Sequence, residues 1–484
     1  EVVPRADHPN VGLILDSFHT LAKGIDPGSI RSIPGDRIFF VQLADAPRID
    51  MDLLYWSRHF RNMPGEGDLD VTGFMRAVAA TGYDGVVSLE IFNDQFRGGS
   101  PRTISVDGHR SLLYLMVQVT RAEPGIAIQV PAMPERVAVS GIEFIEFAAD
   151  EREGAELAAL LRHLGFRRAG RHIAKEVELW RQGDVKVVVN TEREGFAHSS
   201  YLVHGTTICD IGLKVDDAAA TVERARALGA TLFEQPVGPG ELKIPAIRGV
   251  GGGVMHFIDG HSDLARVWEI EFEPLDDLDA PPDCGLVGID HLAQTMNYEE
   301  MLTWLLFYTS IFDTRKTPMV DVVDPAGLIR SQVIENAEGS LRITLNGAEN
   351  RKTLAGRFVT ESFGSAVQHL AFRTDNIFAT AARLCANGFR PLVISPNYYD
   401  DLAARFALDA ELLGTLKAAN ILYDRDDQGE YFQLYSPNYG EGFFFEIVER
   451  RGGYAGYGAA NAQFRIAAQK RALGGGAPLP LRGL

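Results

Sequence analysis

Short apolar runs that end in polar residues recur through the first 124 positions. VGLILDSFH (11–19), RIFFVQLAD (37–45) and DGVVSLEIF (84–92) each read as a buried strand. Between the last two, DVTGFMRAVAATGY (70–83) sets Phe74, Val78 and Ala79 at helical spacing. Strands alternating with helices predict a parallel sheet in an α/β layer, open or closed into a barrel. Only three or four βα units are visible, and a closed eight-stranded barrel needs about as much chain again. Residues that end parallel strands gather on one face, where barrel enzymes place their chemistry.

From about residue 137 the pattern changes to strands separated by single helices and hairpin-like turns, an α+β arrangement. A weak internal repeat runs through it. GIEFIEFAAD (141–150) aligns with GIDHLAQTMN (288–297), and CDIGLKVDDAAATVERARALGA (209–230) with QHLAFRTDNIFATAARLCANGF (368–389). VWEIEFEP (267–274) aligns with FFEIVERR (444–451). Two proline-bearing stretches, AEPGIAIQVPAMPERV (122–137) and EPLDDLDAPPD (273–283), read as linkers. We expect a partial barrel over 1–124, a linker at 125–136 and a first repeat half at 137–275. A second linker at 276–287, a second half at 288–470 and a flexible tail at 471–484 complete the division.

The composition, 46% apolar and 23% charged over 484 residues, is that of a globular protein of about three core-sized units. No run of about 18 apolar residues is present to span a membrane. A formal charge of −18 argues against binding a phosphate backbone, which needs clustered Lys and Arg. Cys209, Cys284 and Cys385 lie far apart without a CxxC pair, the pattern of reduced thiols in a cytoplasmic enzyme. The chain opens on Glu1 without an initiator Met, and we expect it to be the later portion of a longer protein.

Asp16, Gln42 and Glu90 sit at or near the ends of the three expected strands. Two carboxylates and an amide oxygen meeting in one pocket form a hard donor set suited to Mg²⁺, Mn²⁺ or Co²⁺. Such a site polarises a carbonyl and stabilises a developing enolate. His19 follows Asp16 by three residues, placing a base beside the metal. Arg58, His59 and Arg61, in WSRHFRNMPGEGDLD (56–70), offer cations to a substrate carboxylate. A single strand-end Asp or Glu is more often a helix cap than a ligand, so the combination carries the argument.

LDSFH, FFVQLADAP, MDLLYWSRHFRNMPGEGDLD, GYDGVVSLEIFNDQFR and DGHRSLLYL resemble consecutive motifs of the bacterial 3-dehydroshikimate dehydratases, over residues 8–115. These are sugar-phosphate isomerase-like TIM barrels. The resemblance implies divalent-metal-assisted conversion of 3-dehydroshikimate to protocatechuate and water, in quinate and shikimate catabolism. It implies metal ligation by Asp16, Gln42 and Glu90, acid–base work by His19 with Arg61, and substrate contacts from Ser57 and Arg61 beside His59. The family's metal site takes a further Glu from an earlier strand. Nothing before Asp16 supplies it, so the chain by itself is expected to be deficient in the reaction.

His291, His369 and Glu446 lie in apolar strand contexts of the second repeat half. Two histidines and a carboxylate on separate strands make a facial triad, the usual site of non-haem Fe(II). A lone strand histidine is more often a hydrogen-bonded core residue; three at matching repeat positions reverse that judgement. The first half holds Phe144 and Asp210 at the aligned positions, with Glu269 opposite Glu446. GIDHL, LIRSQVIENAEGSLRITLN, VQHLAF, YFQLYSP and FFFEIVERRGGYAGYG resemble the C-terminal half of 4-hydroxyphenylpyruvate dioxygenase, a vicinal-oxygen-chelate fold. That resemblance implies an Fe(II) or Mg²⁺ site on the triad and puts Ser331, Asn346, Gln368 and Gln433 in the pocket, with Phe464 covering it. Where those dioxygenases place a substrate-side glutamine, this chain has Leu354. The module therefore acts either as an oxygenase on a 2-oxo acid or as a non-catalytic binding or dimerisation unit.

GVGGGV (249–254) matches no phosphate-loop spacing and reads as a turn before a strand, and GEGDLD lacks a calcium-loop pattern. His256, within that strand, and His261 are placed at a polar pocket edge. The expected partners are a small-molecule substrate and, by analogy with paired chelate domains, a second copy of the chain, with neither nucleic acid nor membrane involved.

Overall fold

The computed structural model describes residues 2–6, 8–94, 96 and 99–474 and falls into two compact units. The first contains residues 1–136 joined by 223–231 and 302–312. Its strands are β1 (Leu13–Asp16), β2 (Ile38–Leu43) and β3 (Val87–Leu89), all parallel, in the order β1-β2-β3. This is a partial TIM-barrel region. Each strand is shorter than the apolar run that announces it. β1 stops because Asp16 caps the helix Ser17–Ala22, its Oδ1 accepting from His19 N at 3.0 Å. Helix Val71–Ala80 buries Phe74, Met75, Ala77 and Val78 against Val41, Leu43 and Phe18. Segments 223–231 and 302–312 belong here because buried polar groups find their partners in them. Asp107 accepts from Thr303 at 2.6 Å, and Arg110 donates to the Leu228 carbonyl at 2.9 Å.

The second unit holds two sheets. The first comprises β4 (Val139–Ala148), β5 (Arg167–His172), β6 (Val177–Gln182), β7 (Val185–Asn190), β8 (Thr207–Val215), β9 (Leu232–Phe233), β10 (Ala246–Arg248), β11 (Val254–Ile258) and β12 (Phe272–Pro274). Their order is β12-β5-β6-β7-β4-β8-β11-β10-β9. The second comprises β13 (Leu286–Asn297), β14 (Arg315–Lys316), β15 (Val320–Asp324), β16 (Gly327–Glu335), β17 (Arg342–Ala348), β18 (Ala366–Thr374), β19 (Leu422–Arg425), β20 (Gly429–Tyr435) and β21 (Phe444–Gly452). Its order is β14-β16-β17-β13-β18-β21-β20-β19, with β15 paired to β16.

The repeat is plain in the register. β4 and β13 each run parallel to one neighbour, β7 or β17, and antiparallel to the other, β8 or β18. β8 and β18 then run parallel to β11 and β21. Each lead strand carries a β-bulge at the same place. Glu143 is the extra residue between Ile142 and Phe144, and Asp290 the extra residue between Ile289 and His291. A base on the adjoining strand meets each bulge acid, Lys186 Nζ on Glu143 at 2.7 Å and Arg342 Nη1 on Asp290 at 3.4 Å.

Residues 471–474, expected in the tail, form the last turn of helix Ala459–Gly474, and the rest of that tail lies outside the described residues. Among the described residues no helix is long and apolar enough to cross a membrane.

Candidate active site and metal centre

In the first unit the strand ends meet around one guanidinium. Arg61, only 2% exposed, donates through Nη1 to Asp16 Oδ2 at 3.0 Å and to Glu90 Oε2 at 2.6 Å. Gln42 Nε2 donates to Glu90 Oε1 at 2.9 Å, so all three strand-end side chains belong to one network. A buried guanidinium is tolerated only with such partners, and its plane also lies over the Phe18 ring at 4.8 Å. Ser57 Oγ accepts from Arg61 Nη2 at 2.8 Å and the Ser57 carbonyl from Nε at 3.0 Å. His19 Nε2 stands 3.1 Å from Nη2. Because a guanidinium only donates, that nitrogen is the acceptor and the ring proton sits on Nδ1.

These residues line an open cleft of about 870 Å³, together with Arg58 and His59. His59 Nδ1 is 2.8 Å from Asp94 Oδ2, so its charge partner is internal. Asp16 serves in two ways, one oxygen capping a helix and the other facing the cleft. Two carboxylates and an amide are the donor types a hard divalent ion takes, but here Arg61 Nη1 stands between the carboxylates and Gln42 donates to Glu90. Arg61, expected to hold a substrate carboxylate, here has its donors directed to Ser57, Asp16, Glu90 and His19.

In the second repeat half His291, His369 and Glu446 converge. The two imidazole Nε2 atoms are 3.2 Å apart, and Glu446 Oε2 is 3.4 Å from each. Ligands bonded at about 2.1 Å and at right angles stand about 3 Å apart, so the triad can hold one metal ion. The bulge residue Asp290 accepts from His291 Nδ1 at 2.8 Å, which leaves Nε2 directed at the ion position. Arg450 fixes Asp290 in turn, through Nε at 2.9 Å and Nη2 at 3.0 Å. Burial alone would lower the His291 imidazole; Asp290 and Glu446 outweigh it and push it up to about 9. Burial would likewise raise Glu446, yet His291, His369 and Gln433 hold it at about 2.

A cavity of about 450 Å³ opens on the triad, and Ser331, Asn346, Gln368 and Gln433 line it, as does Leu354. Gln433 Nε2 donates to Glu446 at 2.9 Å while Asn461 donates to Gln433 Oε1 at 2.8 Å. Gly458, at φ +59°, presses on that same amide so closely that a Cβ would stand 2.2 Å from Gln433 Oε1. Phe464 packs edge-on against Tyr398, at 4.9 Å between ring centres.

The register corrects one sequence alignment. Asp210 and Phe144 do occupy the places of His369 and His291, but His256 occupies the place of Glu446. Glu269 lies in the short helix Val267–Ile270, exposed and paired with Arg266. Alternating acidic and apolar residues made VWEIEFEP look like FFEIVERR; strand pairing decides otherwise. His256, expected at a polar surface or pocket edge, does line a cavity of the first half, buried with Nδ1 2.5 Å from Asp210 Oδ2, while His261 is largely exposed. Sequence reasoning also passed over Asp290 and Arg450. Their signal was the acid directly before His291 in GIDHL and the basic pair ending FFEIVERR.

A parallel βα region with carboxylates at its strand ends, followed by two glyoxalase-type halves of which one keeps a His-His-Glu centre, defines a two-module enzyme class. The family described as xylose isomerase-like TIM barrel matches residues 1–114. The hydroxyphenylpyruvate dioxygenase N-terminal family matches 134–273, and the glyoxalase/bleomycin resistance protein/dioxygenase superfamily 288–426. The 3-dehydroshikimate dehydratase of Pseudomonas putida is 45% identical over 489 residues, covering 99% of this chain and 76% of that protein. Its counterpart in Pseudomonas aeruginosa is 45% identical over 478 residues, covering 98% and 75%. A solved xylose isomerase-like TIM barrel/4-hydroxyphenylpyruvate dioxygenase fusion protein superposes with a TM-score of 0.87 at 45% identity, covering 97% of this chain and 75% of the other. The chain belongs to the 3-dehydroshikimate dehydratase family of such fusions.

Proposed function

We propose that the cleft of the first unit contributes Asp16, Gln42, Glu90 and His19 to a site that converts 3-dehydroshikimate to protocatechuate and water. The observation that carries this reading is the meeting of Asp16, Gln42 and Glu90 in one network beside His19. Two relatives that bear the dehydratase name at 45% identity support it.

Asp16, Gln42 and Glu90 would hold a divalent ion (Mg²⁺, Mn²⁺ or Co²⁺), which when bound would supply Lewis-acid polarisation of the substrate carbonyl. His19 takes the proton from the carbon beside that carbonyl at its Nε2, which Arg61 Nη2 releases as the substrate enters. The electrons left behind move toward the carbonyl oxygen and then expel the hydroxyl on the next carbon as water, its proton returned from His19. Loss of one further ring proton to oxygen completes the aromatic ring, so one water leaves and no oxidant is needed. Ser57 and His59, which line the cleft, bind the substrate's carboxylate and hydroxyls and orient the departing group, while Arg61 positions Asp16, Glu90 and His19.

Protocatechuate formation from 3-dehydroshikimate, followed with each of the three ions, tests the proposal. Glu90→Ala is expected to lose at least about a hundredfold in turnover. Turnover equal to the parent in that variant would sink the site assignment.

A second reading concerns the other module, favoured by the tight convergence of His291, His369 and Glu446. There an Fe(II)-dependent oxygenase acts on a 2-oxo acid. Oxygen uptake with Fe²⁺ and 4-hydroxyphenylpyruvate is the expected result. No uptake, with the ion still bound through His291, favours a binding or dimerisation module.

A further inference from the structure

The first repeat half encloses its own cavity, of about 170 Å³, where its sister half carries the triad. Aromatic side chains form much of its wall, among them Phe144, Phe196, Phe233 and Trp268. Glu146 and Asp210, directly paired on β4 and β8, line it beside His256. Asp210 is 4% exposed; its Oδ2 is engaged by His256, and its Oδ1 has no hydrogen-bond partner. An unsatisfied oxygen on a buried carboxylate is costly, more so when charged, unless something answers it. Glu146 Oε1 accepts from Asn190 Nδ2 at 2.9 Å and from the Cys209 thiol at 4.0 Å. Burial, and then the Asp210 charge, push the Glu146 carboxyl up to about 7.

The chemistry of the lining selects the occupant. Glu146 and Asp210 face the His256 imidazole, and the other cations lining the cavity already have acidic partners: His172 with Glu271 at 3.3 Å, Lys175 with Glu241 at 3.0 Å and Lys243 with Glu234 at 3.3 Å. A carboxylate ligand would meet like charge. Among the described residues the one group of three His, Cys, Asp or Glu side chains with donor atoms close enough for one ion is His291, His369 and Glu446, so Glu146, Asp210 and His256 do not form a ready metal cage. An ammonium group, with several N–H donors, spans acceptors that stand further apart, and aromatic faces attract its charge. A dry cavity of about 150 Å³ takes benzene, so this one suits a single ring with a short arm.

We propose that the first repeat half binds a small organic ammonium, its nitrogen between Glu146 and Asp210 and its hydrocarbon part against the aromatic wall. This is a binding site separate from both metal-type centres.

Calorimetric titration of the whole chain with benzylammonium, benzyl alcohol and benzoate tests it. Saturable binding of benzylammonium at least tenfold tighter than benzyl alcohol is expected, with no benzoate binding. Asp210→Asn is expected to weaken benzylammonium at least tenfold. Glu146→Gln, which leaves the Asp210–His256 pair in place, provides the same reading should the first variant lose its fold. His291→Ala is expected to leave the affinity unchanged. The proposal is overturned if benzylammonium does not saturate, if benzyl alcohol or benzoate binds as tightly, or if a folded charge variant binds undiminished.

Discussion

Asp290 is fully buried beside the triad and decides which imidazole nitrogen its neighbour presents. Its carboxylate accepts from His291 Nδ1 and is gripped by Arg450. Burial would raise that carboxyl, but His291 and Arg450 hold it well below the usual range, so it stays an acceptor. Asp290→Asn is expected to lower the ion affinity of the triad by about 10–100-fold with an unchanged near-ultraviolet dichroism spectrum, as measured by Co²⁺ titration. Glu146 gives a different signature. Its proton is held more tightly folded, at about 7, than unfolded, near 4.5. Its contribution to stability is therefore complete below about pH 4.5 and is lost as pH rises through about 7. The difference is at most roughly 3 kcal/mol, shared with Asp210, His256 and Lys175, which face it. In Glu146→Gln the urea midpoint is expected to vary less across that window, and a slope equal to the parent's would contradict the assignment.

At the scale of elements, Asp16 joins two functions that mutation can separate. Asp16→Ala and Asp16→Ser both remove the charge that faces Arg61, but serine can still cap helix Ser17–Ala22. The serine variant is expected to be about 1 kcal/mol more stable than the alanine variant in urea unfolding, while both lose dehydration activity. Strand placement in the first unit was legible because apolar runs mark parallel strands, but the expected burial is not found: β1 and β3 are only part-buried, with Ile14 largely exposed. Their ends were less so, since capping by a side chain, not hydrophobicity, stops β1. Register was the hardest feature to read. Glu269 resembled a ligand by its neighbours alone, and only the β8–β11 pairing identifies His256 as the counterpart of Glu446. The network around Arg61 was half visible. Asp16, Gln42 and Glu90 were readable from strand ends, whereas the acceptors that claim the guanidinium depend on how helix Leu53–His59 turns it inward.

Taken as a whole, the molecule carries one sheet plan twice and gives the copies different chemistry. The repeat was visible in sequence where the lead strands and their following helices align. The opposed fates of the two centres were only partly so, because three substitutions at separated positions act together. Gly212 makes the point: a Cβ there would stand 2.2 Å from the Phe144 ring, so the small residue on β8 and the large one on β4 go together. The second copy has Ala371 facing His291 instead. The one-residue slip on each lead strand works as a mounting bracket: whatever follows it is turned toward the middle of its sheet. Fitting that bracket with the other copy's hardware, in the triple variant Phe144→His, Asp210→His and His256→Glu, is expected to raise the Mn²⁺ or Co²⁺ bound per chain by one equivalent. Elemental analysis after gel filtration would count it, and an unchanged stoichiometry would mean that the surrounding walls, and not the bracket, govern which cargo each copy accepts.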